Sequence, residues 1–310
     1  IQPDGILHAA VVRSRHVHAI IQSVDTSAAE SMEGVKAIVT RDQLLGQFDN
    51  RVRYYGDVIA AVAATTHEVA IKAAESIIPT LESLPSIHDP KRAIQSGSPK
   101  VHDVNNPDFG QHGRHEFVVE NSEYVQNIDD YHYVCIGDVE KGFLEADFIF
   151  EHEYISPRVN PCNLDTHCTI AEWDGDTVVF TETLGAPSRS RDEIADLMGM
   201  PHEQVRVVMP PVISSSFGAR SVPQLSFEPV AATLSREVGG VPVKLWFDRE
   251  EEFTATDHRH QTFYNIKMGI TSEGIITAAK IDLVADTGAY PNGVGHIVLS
   301  NGLSRPLEIY

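Results

Sequence analysis

Residues 58–64 read Val-Ile-Ala-Ala-Val-Ala-Ala, a small, apolar and partly β-branched run with the pattern of a buried strand. It leads into Thr66-His67-Glu68-Val69, which opens a helix. Val69, Ala73 and Ile77 recur every four residues as the stripe this helix buries, and Pro79 stops it. Upstream, Leu7 to Val12, Ala19 to Val24 and Val35 to Val39 read as further strands. Strands mixed with helical pieces make an α+β pattern.

From about Val101 to Asp138 the composition changes. His102, His112, His115 and His132 fall here among Asn, Asp and Gly-containing turns. The stretch reads as a linker or long loop, dividing the chain into residues 1–100, 101–138 and 139–310. The last part is strand-rich with inserted helices. Asp147 to Ile155 and Thr169 to Trp173 read as strands, and Asp174-Gly175-Asp176 turns the latter tightly into Thr177 to Glu182. Pro187 to Met198 is a helix with Pro in its first turn and Gly199 just past its end. Val205 to Met209 is a short strand. Phe227, Val230, Ala231, Leu234 and Val238 keep helical spacing up to Gly239-Gly240. Val241 to Phe247 is a strand, and Gln261 to Thr271 pairs with Ile275 to Asp286 across Ser272-Glu273-Gly274.

Composition narrows the function classes. With 42% hydrophobic and 22% charged residues, the 310-residue chain is globular and long enough for about two domains. Asp and Glu total 44 against 24 Lys and Arg, a net charge of −20 that repels nucleic acid and anionic lipid. The longest apolar run, Val58 to Ala64, is far short of the ~20 residues of a membrane helix. Cys135, Cys162 and Cys168 are too few for a disulfide framework, and reduced thiols point to the cytoplasm. The chain starts at Ile1 and stops at Tyr310 with no cap or tail, so both ends read as cut.

Four stretches carry candidate chemistry. Ser214-Ser215-Ser216-Phe217-Gly218-Ala219-Arg220 lies between a strand and a helix. Small residues admit a ligand close to the backbone, and amides, hydroxyls and Arg220 suit an anion. A Ser-rich loop that only caps the helix has the same spacing. Cys162-Asn163-Leu164-Asp165-Thr166-His167-Cys168 concentrates thiols, an imidazole and a carboxylate. Structural zinc needs four converging ligands and there is no second Cys pair, so inert thiols at a strand edge are the reading. His16-Val17-His18 and His258-Arg259-His260 place imidazoles on one face of a strand without a third ligand, the pattern of hydrogen-bonded histidines. Asp248-Arg249-Glu250-Glu251-Glu252 is an acidic helix start that complements the dipole.

Taken in order, the motifs resemble a known family. Leu7-His8-Ala9-Ala10-Val11-Val12-Arg13-Ser14 with His18, then Met32-Glu33-Gly34-Val35-Lys36-Ala37-Ile38-Val39-Thr40, resemble the start of the molybdenum-binding large subunit of xanthine dehydrogenase and aldehyde oxidase-type hydroxylases. Arg53-Tyr54-Tyr55-Gly56-Asp57 running into Val58 to Ala64, and Leu84-Pro85, are similar to its α/β hammerhead domain. Gly137-Asp138-Val139-Glu140 with Phe143 and Ala146-Asp147 resembles the entry to the next domain. Ala171-Glu172-Trp173-Asp174-Gly175-Asp176, Phe217-Gly218, Glu228-Pro229 and Ala285-Asp286-Thr287-Gly288-Ala289-Tyr290 resemble its first molybdopterin-binding domain, a mixed sheet with inserted helices.

The resemblance implies hydroxylation of an aldehyde or N-heterocycle with oxygen from water at a molybdenum–molybdopterin centre, in the cytosine dinucleotide form usual in bacterial relatives. Electrons then pass to 2Fe–2S and FAD on partner units. It implies that the catalytic base, a Glu, sits in a second molybdopterin-binding domain or chain, and that no side chain here ligates the metal. Without that domain or the partner chains, this part alone is expected to be inactive. Ser214, Ser215, Ser216, Phe217, Gly218 and Leu184 would approach the cofactor, and Phe217 and Ser221 the substrate. Where the family has a hydrogen-bonding Gln this chain has Leu184, where it has Gly-Gly-Gly it has Ser214 to Ser216, and where many members have a substrate-facing Glu it has Ser221. These departures motivate a second reading, a non-catalytic scaffold that keeps the fold. A third is an acidic enzyme that binds a phosphorylated ligand at the serine loop.

Overall fold

In the computed structural model, which describes residues 3–46, 48–102, 127–128, 135–212, 215–220 and 226–290, the run from Val58 to Ala64 is a strand buried along its whole length. Its small side chains fit because both faces are covered. Val58, Ala61 and Ala63 join one hydrophobic cluster with Leu7, Phe180 and Leu234. Ile59, Ala60 and Val62 join another with Ala19, Val52 and Ala73.

The described part of residues 1–85 forms β1 (Leu7–Arg13), β2 (Ala19–Asp25), α1 (Ser27–Glu30), β3 (Val35–Thr40), β4 (Arg51–Val52), β5 (Val58–Ala64), α2 (His67–Ser76) and β6 (Ile78–Ser83). Then follow α3 (Pro90–Ala93), α4 (Val139–Leu144), β7 (Phe148–Ser156), β8 (Cys168–Asp174), β9 (Thr177–Glu182), α5 (Pro187–Met198), β10 (Val205–Val208) and α6 (Glu228–Glu237). The last are β11 (Val243–Trp246), α7 (Arg249–Thr254), β12 (Thr262–Ile270) and β13 (Ile276–Ala285). No helix among the described residues is long and apolar enough to cross a membrane.

By contacts the chain divides into two compact units that are discontinuous in sequence, whereas a division at 100 and 138 follows composition. One unit draws on residues 1–85 and 160–257, the other on 86–159 and 258–310. The first holds a seven-stranded mixed sheet in the order β10-β9-β8-β11-β1-β5-β3 and a three-stranded sheet β4-β2-β6. The seven-stranded sheet is closed in its middle by a parallel pairing, with Leu7, His8 and Ala9 opposite Val243, Lys244 and Leu245. Helix α6 packs against β8 and β11 and carries the buried Val230, Ala231 and Leu234 into the core. The second unit holds the antiparallel sheet β13-β12-β7 with α4 packed on β13. Gly142 of α4 is required there, because a Cβ would strike the Thr277 carbonyl oxygen.

Two local expectations are corrected. The buried stripe of α2 begins at Ala70 and not at Val69, with Ala73, Ala74 and Ile77 completing it. Pro79 does follow the end of α2 but lies within β6, a strand absent from the sequence reading. It is an edge strand, where proline's missing N–H is tolerated.

The turn before β5 is held by charge. Arg41 and Asp57 are both buried and meet at 2.8 Å, and Arg41 also donates to the Val58 carbonyl at 2.8 Å. Asp57 accepts from the backbone N–H of Arg53 and of Val58. Removing one partner strands a buried charge. Asp57→Ala is therefore expected to cost about 3–5 kcal/mol, read as a lower urea midpoint; an unchanged midpoint would contradict this.

Candidate functional site

The Ser-rich loop lies between β10 and α6, in the first unit. The Ser216 carbonyl accepts from Ala219 N at 2.9 Å, and the Ser216 hydroxyl accepts from Arg220 N at 3.3 Å. Phe217 and Gly218 are consecutive left-handed residues, with φ of 46° and 96°. A phenylalanine in that region is strained unless its surroundings over-determine it. The turn drives the Phe217 side chain outward, where it is 78% exposed. The backbone N–H groups of Phe217 and Gly218 make no hydrogen bond among the described residues, and a Cβ on Gly218 would meet open space. The loop thus presents two free amides beside an aromatic ring at the surface.

Buried charge anchors this turn. Arg220 is only 3% exposed; its guanidinium pairs with the Asp165 carboxylate at 2.7 Å and donates to the carbonyls of Asp165 and Thr166. Its own carbonyl accepts from Gly185 N at 2.7 Å, tying the loop to the end of β9. Beside it, His167 bridges the loop to α7. Nδ1 meets Glu252 Oε1 at 2.9 Å and Nε2 meets the Ala219 carbonyl at 3.1 Å. Both ring nitrogens face acceptors, so only a ring with hydrogen on both satisfies them. Phe227 and Phe247 pack on the imidazole at 5.8 and 6.2 Å between ring centres. Burial works against the Glu252 charge, but the hydrogen bonds and charge of His167, with Arg220 beyond, outweigh it and hold this carboxyl below its usual range.

Behind the anchor is a cavity of about 50 Å³ whose wall includes Glu182, Leu184, Arg220, Phe227 and Glu228. Room on that scale accepts water when polar groups line it. Glu182, at the end of β9, is 3% exposed, and its Oε1 has no hydrogen-bond partner among the described residues. Burial pushes its carboxyl up to about 8, opposed by the neighbouring Thr169 hydroxyl. The Cys168 thiol on the same wall is pushed up by burial, which keeps it protonated and unreactive.

Of the residues singled out in the sequence, Ser215 and Ser216 are half-buried in the loop and Phe217 and Gly218 are exposed at its tip. Ser214 and Ser221 lie outside the described residues. Leu184 is 7% exposed, packed in the core and forming part of the cavity wall with Arg220. Arg220 does not face outward as an anion hook, because Asp165 and two carbonyls engage it. The acidic run at 248–252 does more than complement a dipole. Asp248 and Glu251 form a capping box, Glu251 pairs with Arg13 at 2.7 Å, and Glu252 turns inward to His167. His16 and His18 lie in the turn after β1 and not on a strand, bonded to Ser83 and to the Pro85 carbonyl. His258 and His260 flank an isolated bridge at Arg259. Among the described residues no group of His, Cys, Asp and Glu is placed to hold a metal ion.

The His167–Glu252 pair has a pH signature. Because the Glu252 carboxyl is held below its ordinary 4.5, the pair stabilises the fold above that value and loses its effect as pH falls through the lowered one. Glu252→Gln is expected to lower Tm by several degrees at neutral pH and to converge on the parent in acid. Parallel melting curves that never converge would contradict it.

Comparison with known proteins gives this geometry a setting. Residues 120–310 match the molybdopterin cofactor-binding domain family, and residues 1–85 match the aldehyde oxidase and xanthine dehydrogenase a/b hammerhead domain. A probable hypoxanthine oxidase of Escherichia coli is 30% identical over 97% of this chain, which covers 34% of that protein. A probable subunit of xanthine dehydrogenase from Bacillus subtilis is 33% identical over 92%, covering 37% of it. The chain thus spans about a third of the length of these relatives. Among solved structures, carbon monoxide dehydrogenase from Oligotropha carboxidovorans superposes with a TM-score of 0.76 at 26% identity, over 92% of this chain and 37% of that one. Aldehyde oxidoreductase from Desulfovibrio gigas shares the fold, with a TM-score of 0.77 at 22% identity, over 92% of this chain and 31% of that one. With a hammerhead domain followed by a molybdopterin cofactor-binding domain, the chain belongs to the xanthine dehydrogenase and aldehyde oxidase family of oxidoreductases, as part of the molybdenum-binding subunit.

Proposed function

We propose that this chain forms one wall of the active site of a molybdenum hydroxylase that oxidises an aldehyde or N-heterocycle. The observation that supports this most is the exposed Phe217–Gly218 turn, whose amides make no hydrogen bond among the described residues and which is held on a buried ionic anchor. Amides of that kind, with the hydroxyls of Ser214, Ser215 and Ser216, are a donor set that fits the oxygen-rich periphery of a molybdopterin group. Leu184 would supply apolar backing, and Phe217 and Ser221 would face the substrate. When bound, the molybdenum–molybdopterin group, in its cytosine dinucleotide form, supplies a two-electron oxidation with water as the oxygen source. The chain's own residues orient that group and the substrate and limit water access, while a Glu on a second molybdopterin-binding domain or chain acts as base.

The heterocycle half of the reading is supported by relatives named for hypoxanthine and for nicotinate, the latter a large molybdopterin subunit 29% identical to this chain. Electrons would leave through 2Fe–2S and FAD units on partner chains, in the cytoplasm. Metal and pterin analysis of the natively purified protein is expected to give about one molybdenum per copy together with iron and flavin. Iron and flavin without molybdenum would favour a scaffold that keeps the fold but not the chemistry, and no metal with no partner chain would overturn both. In the active complex, Phe217→Ala is expected to lower kcat/KM tenfold or more, mainly through KM, with molybdenum content unchanged; unchanged kinetics would remove Phe217 from the substrate wall.

A further inference from the structure

We propose that Glu182 is a positioning residue for the cofactor-facing turn, a buried carboxylic acid that keeps its proton so that Arg220 stays on Asp165. A small cavity lies behind the turn. Glu182 and Arg220 share its wall, and each has a buried polar atom without a partner among the described residues, Glu182 Oε1 and Arg220 Nε. A buried acceptor and a buried donor left open in one small chamber are unusual in a folded protein. With Glu182 neutral, each open atom costs little beyond its own desolvation, and water in the chamber can meet both. The rest of the guanidinium then holds Asp165 and the carbonyls of Asp165 and Thr166.

Ionisation of Glu182 changes the balance. The groups around it are Thr169 and Cys168 on β8, His167 just before that strand with Glu252 behind it, Glu228 at the start of α6, and Arg220 with its partner Asp165. Glu228, Glu252 and Asp165 are acidic, and the His167 ring is already engaged by Glu252 and the Ala219 carbonyl. Among the described residues of this wall, Arg220 is the cation with an open buried donor, so a charged Glu182 competes with Asp165 for the guanidinium. The Arg220 carbonyl is the acceptor for Gly185 N, and its amide closes the turn on Ser216. A guanidinium drawn from Asp165 therefore loosens the backbone that presents Phe217 and Gly218. The proton on Glu182 thereby sets the pH above which the turn loses its geometry, and the burial of that carboxyl places the limit near 8.

The inference rests on the reading of this turn as cofactor-facing, but its test needs no cofactor, so the two can fail separately. In the natively purified protein, infrared difference spectra across a pH series should show a protonated buried carboxyl that disappears around pH 8 and is missing from Glu182→Gln. Hydrogen exchange of residues 216–220, corrected for the intrinsic rate, should rise about tenfold per pH unit above the same midpoint in the parent, and stay flat in Glu182→Gln. Thr169→Val removes the hydroxyl that opposes burial and should move the infrared midpoint and the exchange step upward together. It serves as the second variant should Glu182→Gln not fold. A carboxyl already ionised at pH 6 would overturn the proposal. So would a carboxyl transition with no exchange step, an exchange step that persists in Glu182→Gln, or two midpoints that separate in Thr169→Val.

Discussion

The parallel pairing of β1 with β11 is the constraint on which the first unit depends. Leu7 to Ala9 must find Val243 to Leu245 across more than two hundred residues of chain, and only then does the seven-stranded sheet close. Once it closes, the ends of those strands bring Arg13 to Glu251 and set α7 beside the 160s segment. Glu252 then reaches His167, His167 reaches the Ala219 carbonyl, and the loop acquires its anchor. A hairpin could form without this pairing. The anchor could not, because its parts come from three separate stretches of sequence.

The site is built of buried ionisable groups in an apolar setting. His167, Glu252, Arg220, Glu182 and Glu228 are each 5% exposed or less. Desolvation makes every unmatched charge there expensive, and the matched ones correspondingly rigid. That rigidity has a use, because a phenylalanine at positive φ persists only where its neighbours leave it no alternative. The strain at Phe217 and the ion pairs beneath it form one device, which holds an exposed aromatic ring and two open amides at the tip of a turn.

Much of the fold was legible in the sequence because its elements are locally encoded. The limits of β5, β9 and α5 follow from an apolar run, an Asp-Gly-Asp turn, and a Pro and a Gly at the two ends of a helix. In α5 that glycine is left-handed, as a helix C-terminus favours. β6 was hidden because Pro79 reads as a breaker and its edge position is a tertiary fact. The loop at 214–220 was legible as a candidate, but its anchor was not. The acidic run at 248–252 satisfied a helix dipole and a cap, so nothing local marked Glu252 as the residue that turns inward. His167 and Glu252 are 85 positions apart, and Glu182 looks like the last polar residue of an alternating strand. Residues that act through burial carry no motif; their partners are decided by sheet order.

On the proposed reading, the pinned turn at Phe217–Gly218 faces the molybdenum cofactor. A crystal structure of the natively purified protein with its cofactor, grown near pH 6, tests this most directly. The expected result is the amides of Phe217 and Gly218 within hydrogen-bond reach of the cofactor, with Arg220 still on Asp165 and His167 still on Glu252. A cofactor bound elsewhere, or a turn pointing away from it with the same anchor intact, would contradict it.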